Sequence, residues 1–482
     1  MISIQPDLIL FILPAFCLCF EFTNSEFNKP ASGGHSRQLK TQKENRIMKR
    51  PKLSGLLKFL AVMLISFSVL LLFWIASPLP KILAKPETKI FEQVWQTVND
   101  NFYDPKFNGV DWKAMREKYK SQAAQAKSSQ EFAATINQML GELQTSHTRY
   151  YTKDEPAYYQ ILGIFVSRSG ELQKQLPKFL PKGKIEYTGI GAFTKDINGK
   201  TFVSTILDKS PAAAAGLKIG DQILSVDGRP YQPIQSFAEK AGEKVKLLIQ
   251  RSAAPSSQTE IAIAPKNFDA KTMFIDAQQA SIQNIQREGK KVGYIHIWSH
   301  AANEDQQQLQ SEIIYGRLKD ADGLVLDFRD GWGGGDVNSL NLFTAEAGPT
   351  VTSVSRNGKK YTYISQWKKP VAMVINEGSR SSKEIYAYGF QQHKIGPVIG
   401  TKTAGAVVAG RPFFMEDGSL LYVAVADVFV NGNQRLEGKG VAPDINVPLP
   451  LEYAQGADPQ KERAIETVLA AIKQSSSQSI QK

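Results

Sequence analysis

The chain has 482 residues, 42% hydrophobic and 22% charged, enough to bury a substantial core and to divide into two or three domains. Of its formal charge of +12, the first 85 residues carry +7, from 11 Lys or Arg against 4 Asp or Glu; the +5 left over is too diffuse for a phosphate-binding footprint, and no nucleic-acid partner is expected. Both cysteines, Cys17 and Cys19, fall in that leader, which excludes a disulfide, a thiolate metal site and a cysteine nucleophile from the remainder.

The leader, residues 1–84, holds two apolar stretches, Leu8 to Phe20 and Phe59 to Ala76. The second runs for 18 residues broken only by Ser66 and Ser68, with "MKRPKLSGLLK" ahead of it and "SPLPK" behind. That is the pattern of a signal peptide or signal anchor, placed at about residues 56–76. A buried core helix is the competing explanation, and the length and charged flanks argue against it. The expectation is a membrane-anchored or exported chain whose folded part lies outside the cytoplasm, in a periplasm or lumen. Met48 opens a conventional "MKRPK" n-region, so residues 1–47 read as lying ahead of the true start. No clean A-x-A site decides between cleavage and anchoring.

From Lys85 to about Gln144, "IFEQVWQTVNDNFY" and "SQEFAATINQMLGEL" space their apolar residues by three and four, which predicts a small helical domain over 85–155 that ends in "QTSHTRYY". Residues 155–185, rich in Lys, Gly and Pro, give no clear pattern. Short strands follow over 186–265, "GIGAFT", "TFVSTIL", "DQILSVDG" and "KVKLLIQ", interrupted by one helical cue, "SPAAAAGL". Ser210 and Pro211 start that helix, Gly216 ends it, and Gly220-Asp221 turns the chain into the next strand. This order resembles a PDZ domain, which implies capture of a peptide end as an added strand, with the loop Gly189-Ile190-Gly191 holding the carboxylate.

Over 271–450 strands and helices alternate: "KVGYIHIWS", "NEDQQQLQSEIIYGRL", "GLVLDFRD", "PVAMVIN" and "GPVIGT". Residues 451–482 form a C-terminal helix and tail. The fold class is therefore α/β and multidomain, with chemistry expected at the strand ends of the last domain.

Two strand ends stand out. "GSRSSKEI" at 378–385 follows an apolar strand, and its Ser381 and Glu384 fit an S-x-x-E capping box, the ordinary explanation. "LVLDFRDGWGGG" runs a strand into Asp327, Arg329 and three glycines, which let a backbone amide approach a site closely enough to hold an oxyanion. No cluster has metal-ligand spacing, so neither a metal nor another cofactor is expected.

Over roughly Ile90 to Val447 the ordered set of helical segment, PDZ-like segment, "LDFRDGWGG", "NEGSRSSKEI", "GTKTAG" and "GKGVAPDI" resembles the PDZ-containing serine peptidases of the C-terminal processing (tail-specific) group. The resemblance implies a helical segment, a PDZ domain and an α/β serine peptidase core acting on polypeptides. It places the nucleophile at Ser381, one oxyanion amide at Ser382 and the other at Gly333 or Gly334. The group's general-base lysine follows T-x-G, and here "Thr403-Ala404-Gly405-Ala406" puts alanine there. The tricorn-like branch of the clan uses instead a histidine preceded by a serine at the end of the helical segment, and a glutamate before "GxGVxPD". Ser146-His147 and Glu437 match those positions. His147 would be the base, oriented by Ser146, by Glu437 or by both.

Competing readings remain open at this level. Ser146-His147 also fits a helix end with an imidazole near the terminal carbonyls. Lys383 or Lys402 would serve as a surrogate base, or the core would be a noncatalytic scaffold beneath a peptide-binding PDZ domain. Asp327 and Arg329 read as braces of the glycine turn, and His296, His300 and His393 as structural or surface residues.

Overall fold

The computed structural model describes residues 86–344, 351–363 and 366–480. The leader and its apolar run Phe59 to Ala76 lie outside the described residues, and among those described no helix is long and apolar enough to cross a membrane.

Three helices open the described chain, Pro86–Asn101, Trp112–Gln125 and Ser129–Gly141. The second and third are capped by Asp111 and Ser128, whose side chains accept from the amides of Ala114 and Glu131. Their apolar faces do not close on themselves. Phe91, Val98, Ile136 and Met139 share one core with Leu421, Val423 and Ala424 from far along the chain. Those last residues belong to a hairpin, Val408–Phe414 and Leu420–Asp427, whose second strand also pairs antiparallel with Arg149–Tyr151. The N-terminal helices are thereby held against a sheet made mostly of later sequence.

The unpatterned stretch after residue 155 forms two helices, Pro156–Phe165 and Gly170–Phe179. Pro156 sits at the first helical position, where its missing N–H costs nothing. Next come five antiparallel strands in chain order, Ala192–Ile197, Lys200–Ile206, Gln222–Val226, Val245–Gln250 and Gln258–Ile263, around a core of Val203, Leu217, Leu247 and Ile249. Ala192–Ile197 is an edge strand of this sheet, and the helix Pro211–Ala214 is capped by Ser210 as expected.

The last region is built on a six-stranded sheet ordered Ile445–Asn446, Val398–Gly400, Val371–Ile375, Gly323–Asp327, Lys290–His296 and Gln283–Arg287. The first five are mutually parallel and the sixth is antiparallel. Parallel strands need cover on both faces. On one face Leu324, Leu326, Met373 and Ile375 pack with Leu309, Tyr386 and Phe390 of the helices Asn303–Ile314 and Ser382–Gln392. On the other, Val325, Ala372 and Val374 meet Ile465, Val468 and Ile472 of the C-terminal helix Pro459–Ile480. The strands Gly323–Asp327 and Val371–Ile375 are buried along their whole length, so their ends deliver the following turns to one edge.

Candidate active site

Ser381 stands between the strand Val371–Ile375 and the helix Ser382–Gln392 with φ 58° and ψ −129°, a strained conformation for a residue with a side chain. The surroundings enforce it. Its N–H donates both to the Ala406 carbonyl (2.9 Å) and to Glu384 Oε2 (3.1 Å). The turn ahead is pinned by Ser379, whose hydroxyl donates to the Phe328 carbonyl (2.9 Å), and by Asn376, whose Oδ1 accepts from the Asp330 and Gly378 amides. Only the carboxylate arm of the expected capping box is used. The first helical turn closes on the Ser381 carbonyl, which accepts from the Glu384 amide at 2.8 Å, and the Ser381 hydroxyl makes no capping hydrogen bond.

Glu384 does more than cap, a role its place in an S-x-x-E motif conceals. Fully buried, it accepts from Thr403 Oγ1 (2.6 Å), Gly405 N (2.7 Å) and Ala406 N (2.7 Å) as well as from Ser381. Thr403 Oγ1 in turn accepts from Val441 N at 2.7 Å. One carboxylate therefore binds "GTKTAG", "GVAPD" and the Ser381 turn into a unit, and it brings Ala406 backbone to backbone with Ser381. Ala406, a methyl-bearing residue, is thus beside Ser381.

Ser146, His147 and Glu437 come together across 291 residues of sequence. Ser146 Oγ lies 2.8 Å from His147 Nδ1 and donates to Glu437 Oε2 at 2.9 Å, while Glu437 Oε1 accepts from the Ser146 amide at 2.7 Å. Glu437 Oε2 also accepts from the Val407 amide (2.6 Å), the residue after Ala406. With Ser146 donating to the carboxylate, its oxygen is left to accept from Nδ1–H, which directs the lone pair of the imidazole to Nε2. His147 lies six residues beyond the end of the helix Ser129–Gly141, with φ 55°, so it is not the helix-end imidazole that the sequence also allowed. The ring is half-buried, packed 5.4 Å from the Tyr422 ring; burial first, then the Arg380 charge, push its pKa down to about 4. Among the described residues His147 Nε2 and Ser381 Oγ make no hydrogen bond, to each other or elsewhere.

The glycine turn lies against the same serine. A Cβ on Gly333 would stand 2.6 Å from Ser382 N and 2.7 Å from Ser381 Cβ, so only glycine fits there. The two glycines differ in their amides: Gly334 N donates to Ser382 Oγ at 2.9 Å, while the amides of Gly333 and Ser382 have no acceptor among the described residues. Ser382 Oγ also lies 3.2 Å from His300 Nδ1, whose pKa burial and the Lys383 charge push down to about 4. His300 is a buried structural residue, but one that braces the Ser382 hydroxyl against the glycine turn; its strand-end position was the only sequence signal.

Lys383 points away from Ser381. Its ammonium, fully buried, donates to the carbonyls of Trp298 (3.3 Å), Arg329 (3.4 Å) and Asp330 (2.5 Å). Lys402 is exposed. His296 is stacked on Trp298 with Nε2 3.1 Å from the Arg329 carbonyl, and His393 is an exposed helix end. Arg329 forks Asp327 and Asp458 at 2.6 and 2.7 Å, fastening the glycine turn to the start of the C-terminal helix. Burial alone would raise the Asp327 carboxyl, but the Arg329 charge more than reverses it and holds it well below the usual range.

At Gly189-Ile190-Gly191 the carbonyls of Ile190 and Gly191 accept from Ala212 (2.9 Å) and Leu207 (2.8 Å), while the amides of Ile190 and Gly191 lack acceptors among the described residues. This loop leads into the edge strand Ala192–Ile197. The five-stranded sheet touches the glycine turn and the turn ahead of Ser381 directly: Thr205 Oγ1 donates to Asp330 Oδ2 (2.7 Å) and Lys195 pairs with Glu377 (3.3 Å).

Comparison with known proteins agrees with this architecture. Residues 86–141 match the tricorn protease C1 domain, 202–251 the PDZ domain and 291–447 peptidase family S41. The chain is similar to a carboxyl-terminal-processing protease of Synechocystis, 27% identical over 405 residues, covering 80% of this chain and 88% of that one. It is also similar to a putative tricorn protease homolog 2 of Streptomyces coelicolor, 25% identical over 409 residues, covering 79% of this chain but 32% of that longer protein. Among solved structures, the tricorn protease crystal structure superposes with a TM-score of 0.50 at 20% identity, over 83% of this chain and 38% of the other. The chain is a serine peptidase whose residues 291–447 match family S41, behind segments that match the tricorn C1 and PDZ domains, and it is similar to carboxyl-terminal-processing proteases.

Proposed function

We propose that the chain is an extracytoplasmic, membrane-anchored or exported peptidase that cleaves polypeptides through an acyl-enzyme on Ser381, with His147 as base. The observation that carries this reading is the Glu437–Ser146–His147 relay, which fixes the imidazole with Nε2 unengaged in the neighbourhood where the lysine position has become Ala406. The Ser381 hydroxyl proton passes to His147 Nε2 as Oγ bonds to the scissile carbonyl carbon. The imidazolium then protonates the leaving amine as the C–N bond breaks, and water, deprotonated by the same imidazole, releases the acyl group. Ser146 and Glu437 hold the tautomer and balance the imidazolium charge. The amides of Gly333 and Ser382 take the oxyanion, since that of Gly334 is committed to Ser382 Oγ. Catalytic hydrogen bonds are often long without substrate, so the Ser381–His147 bond is expected to form in the complex.

The PDZ domain would bind a polypeptide end on the edge strand Ala192–Ile197, its carboxylate on the Ile190 and Gly191 amides. Cleavage near carboxyl termini fits that arrangement and the name of the Synechocystis relative. Full-length protein treated with a fluorophosphonate probe should label, and Ser381→Ala and His147→Ala should not. A folded parent that never labels would leave a noncatalytic peptide-binding scaffold as the better description.

A further inference from the structure

The residue immediately before Ser381 is the least explained charge near the site. Arg380 Cζ stacks 5.1 Å from the Trp332 ring, its Nε is buried with no hydrogen-bond partner, and among the described residues the guanidinium forms no ion pair. An arginine carries five donors and cannot shed its charge, so a half-buried guanidinium with its Nε enclosed and unbonded has donors left to meet an incoming acceptor. The carboxylates nearest to hand are occupied. Asp330 accepts from Thr205 (2.7 Å) and Asn376 (3.1 Å), and Glu155 accepts from Arg149 (2.9 Å) and the Thr152 amide (3.1 Å). Arg380 faces a cavity of about 420 Å³ walled by Tyr151, Phe193 and Trp332, which opens between the PDZ sheet and the catalytic turn. Its field reaches His147, Tyr151 and Tyr422.

We propose that Arg380 is a specificity residue whose guanidinium binds a carboxylate of the substrate within a few residues of the scissile bond. This rests on Ser381 being the nucleophile: a side chain one residue before it lies beside any peptide attached there. Trp332 stacking orients the planar fork, and the aromatic walls lower the local dielectric, which strengthens a charge-assisted pair. The carboxylate belongs either to an Asp or Glu side chain or to the free end of the polypeptide, and the chemistry of capture is the same.

The test uses full-length protein and peptides built around one cleaved neutral sequence. One arm exchanges Gln for Glu on either side of the cut bond; the other exchanges a C-terminal amide for the free acid. A carboxylate in the productive arm should raise kcat/KM roughly ten- to a hundredfold, the range of a charged hydrogen bond. In Arg380→Gln that ratio should fall to near one, and Arg380→Lys, which keeps charge but not the fork, should recover part of it. Because ratios are taken within one protein, a general loss of activity does not imitate the result. Should Arg380→Gln not fold, the parent's ratio and its decline between low and high salt decide alone. A parent ratio near one in both arms, or a ratio that survives Arg380→Gln, overturns the proposal. A parent that neither labels nor cleaves overturns the peptidase reading, and this inference with it.

Discussion

Lys383 and His147 are both candidate bases for Ser381, and they are held in opposite ways. Lys383, two residues on in the same helix, is closer in sequence and, with burial pushing its pKa down to about 7, already poised to lose a proton. Yet Trp298, Arg329 and Asp330 accept from its ammonium, so it serves as a brace between the helix and the glycine turn. His147 follows the N-terminal helices and is tied on one side only, through Nδ1, with Nε2 unengaged among the described residues. A depressed pKa is shared by both and discriminates neither. What separates a base from a strut is whether the lone pair has somewhere to go.

The sharpest way to break this contrast is to remove each base. Ser381→Ala and His147→Ala should each lower kcat by roughly 10⁴- to 10⁶-fold, as for nucleophile and base acting as a unit. Lys383→Met should instead act on stability, leaving three carbonyls without their donor at about 1–3 kcal/mol each at most. Thermal unfolding and turnover measured on the same samples distinguish the two. A folded Lys383→Met that is inactive beside an active His147→Ala would exchange the roles.

Gly333→Ala comes next in size. Its Cβ would press on Ser382 N and Ser381 Cβ, displacing two amides from the oxyanion position, and removing such a donor costs about 10²–10³ in kcat. Gly334, at φ 123° with its amide bound to Ser382 Oγ, is the comparison: Gly334→Ala should perturb the turn through its backbone, with a smaller effect on kcat and a larger one on stability. Equal effects at both would remove the distinction between them.

Glu437→Gln tests the far end of the relay. The amide keeps the shape but loses the charge that steadies an imidazolium, so a drop of roughly 10²-fold in kcat with little change in KM is expected, and Ser146→Ala should fall in the same range. The double variant should be barely worse than either, because both act through one ring.

These comparisons also mark what sequence could and could not supply. Ser381, Ser146-His147 and Glu437 stand out as candidates only through the family resemblance, each in a short motif, with Ala406 where that resemblance expects a lysine. The buried strands Gly323–Asp327 and Val371–Ile375 were equally plain as continuous apolar runs. The pairing of Ser146 with Glu437 spans 291 residues, and no local periodicity encodes it. Helices Pro156–Phe165 and Gly170–Phe179 were hidden by Pro177 and the surrounding Lys and Gly, since they depend on tertiary packing of Ile161, Leu162, Leu172 and Leu176. The dependence of the N-terminal helices on the hairpin Val408–Phe414 and Leu420–Asp427 was hidden too, because an amphipathic helix does not say which sheet it covers. The difference between the Gly333 and Gly334 amides rests on a single hydroxyl, Ser382 Oγ, which accepts from Gly334.

The smallest effect concerns pH, and it ties the two bases together through Arg380. A base must be neutral to accept a proton, so the acid limb of kcat/KM follows the free-enzyme pKa of His147. With that pKa at about 4, activity should stay level as pH falls through 6.5, where an ordinary imidazole would already be charging, and decline only toward pH 4. Burial is the larger cause and the Arg380 charge the second, so Arg380→Gln should move the limb upward by only part of the displacement from 6.5. The same depression bears on stability. Between about 4 and 6.5 the unfolded chain binds a proton at His147 that the folded chain refuses, so this residue makes folding stability rise with pH across that window, and lose ground as pH falls below 6.5. His300, pushed down to about 4 by burial and by Lys383, adds a second contribution of the same sign. Unfolding followed at pH 7 and pH 5 should therefore show that acidification costs His300→Asn less stability than the parent, whereas the kcat/KM limb of that variant stays near pH 4. A limb found near 6.5 in the parent would mean that His147 is solvated in the working enzyme, and would weaken the contrast between an enclosed, open-sided histidine and a fully satisfied lysine.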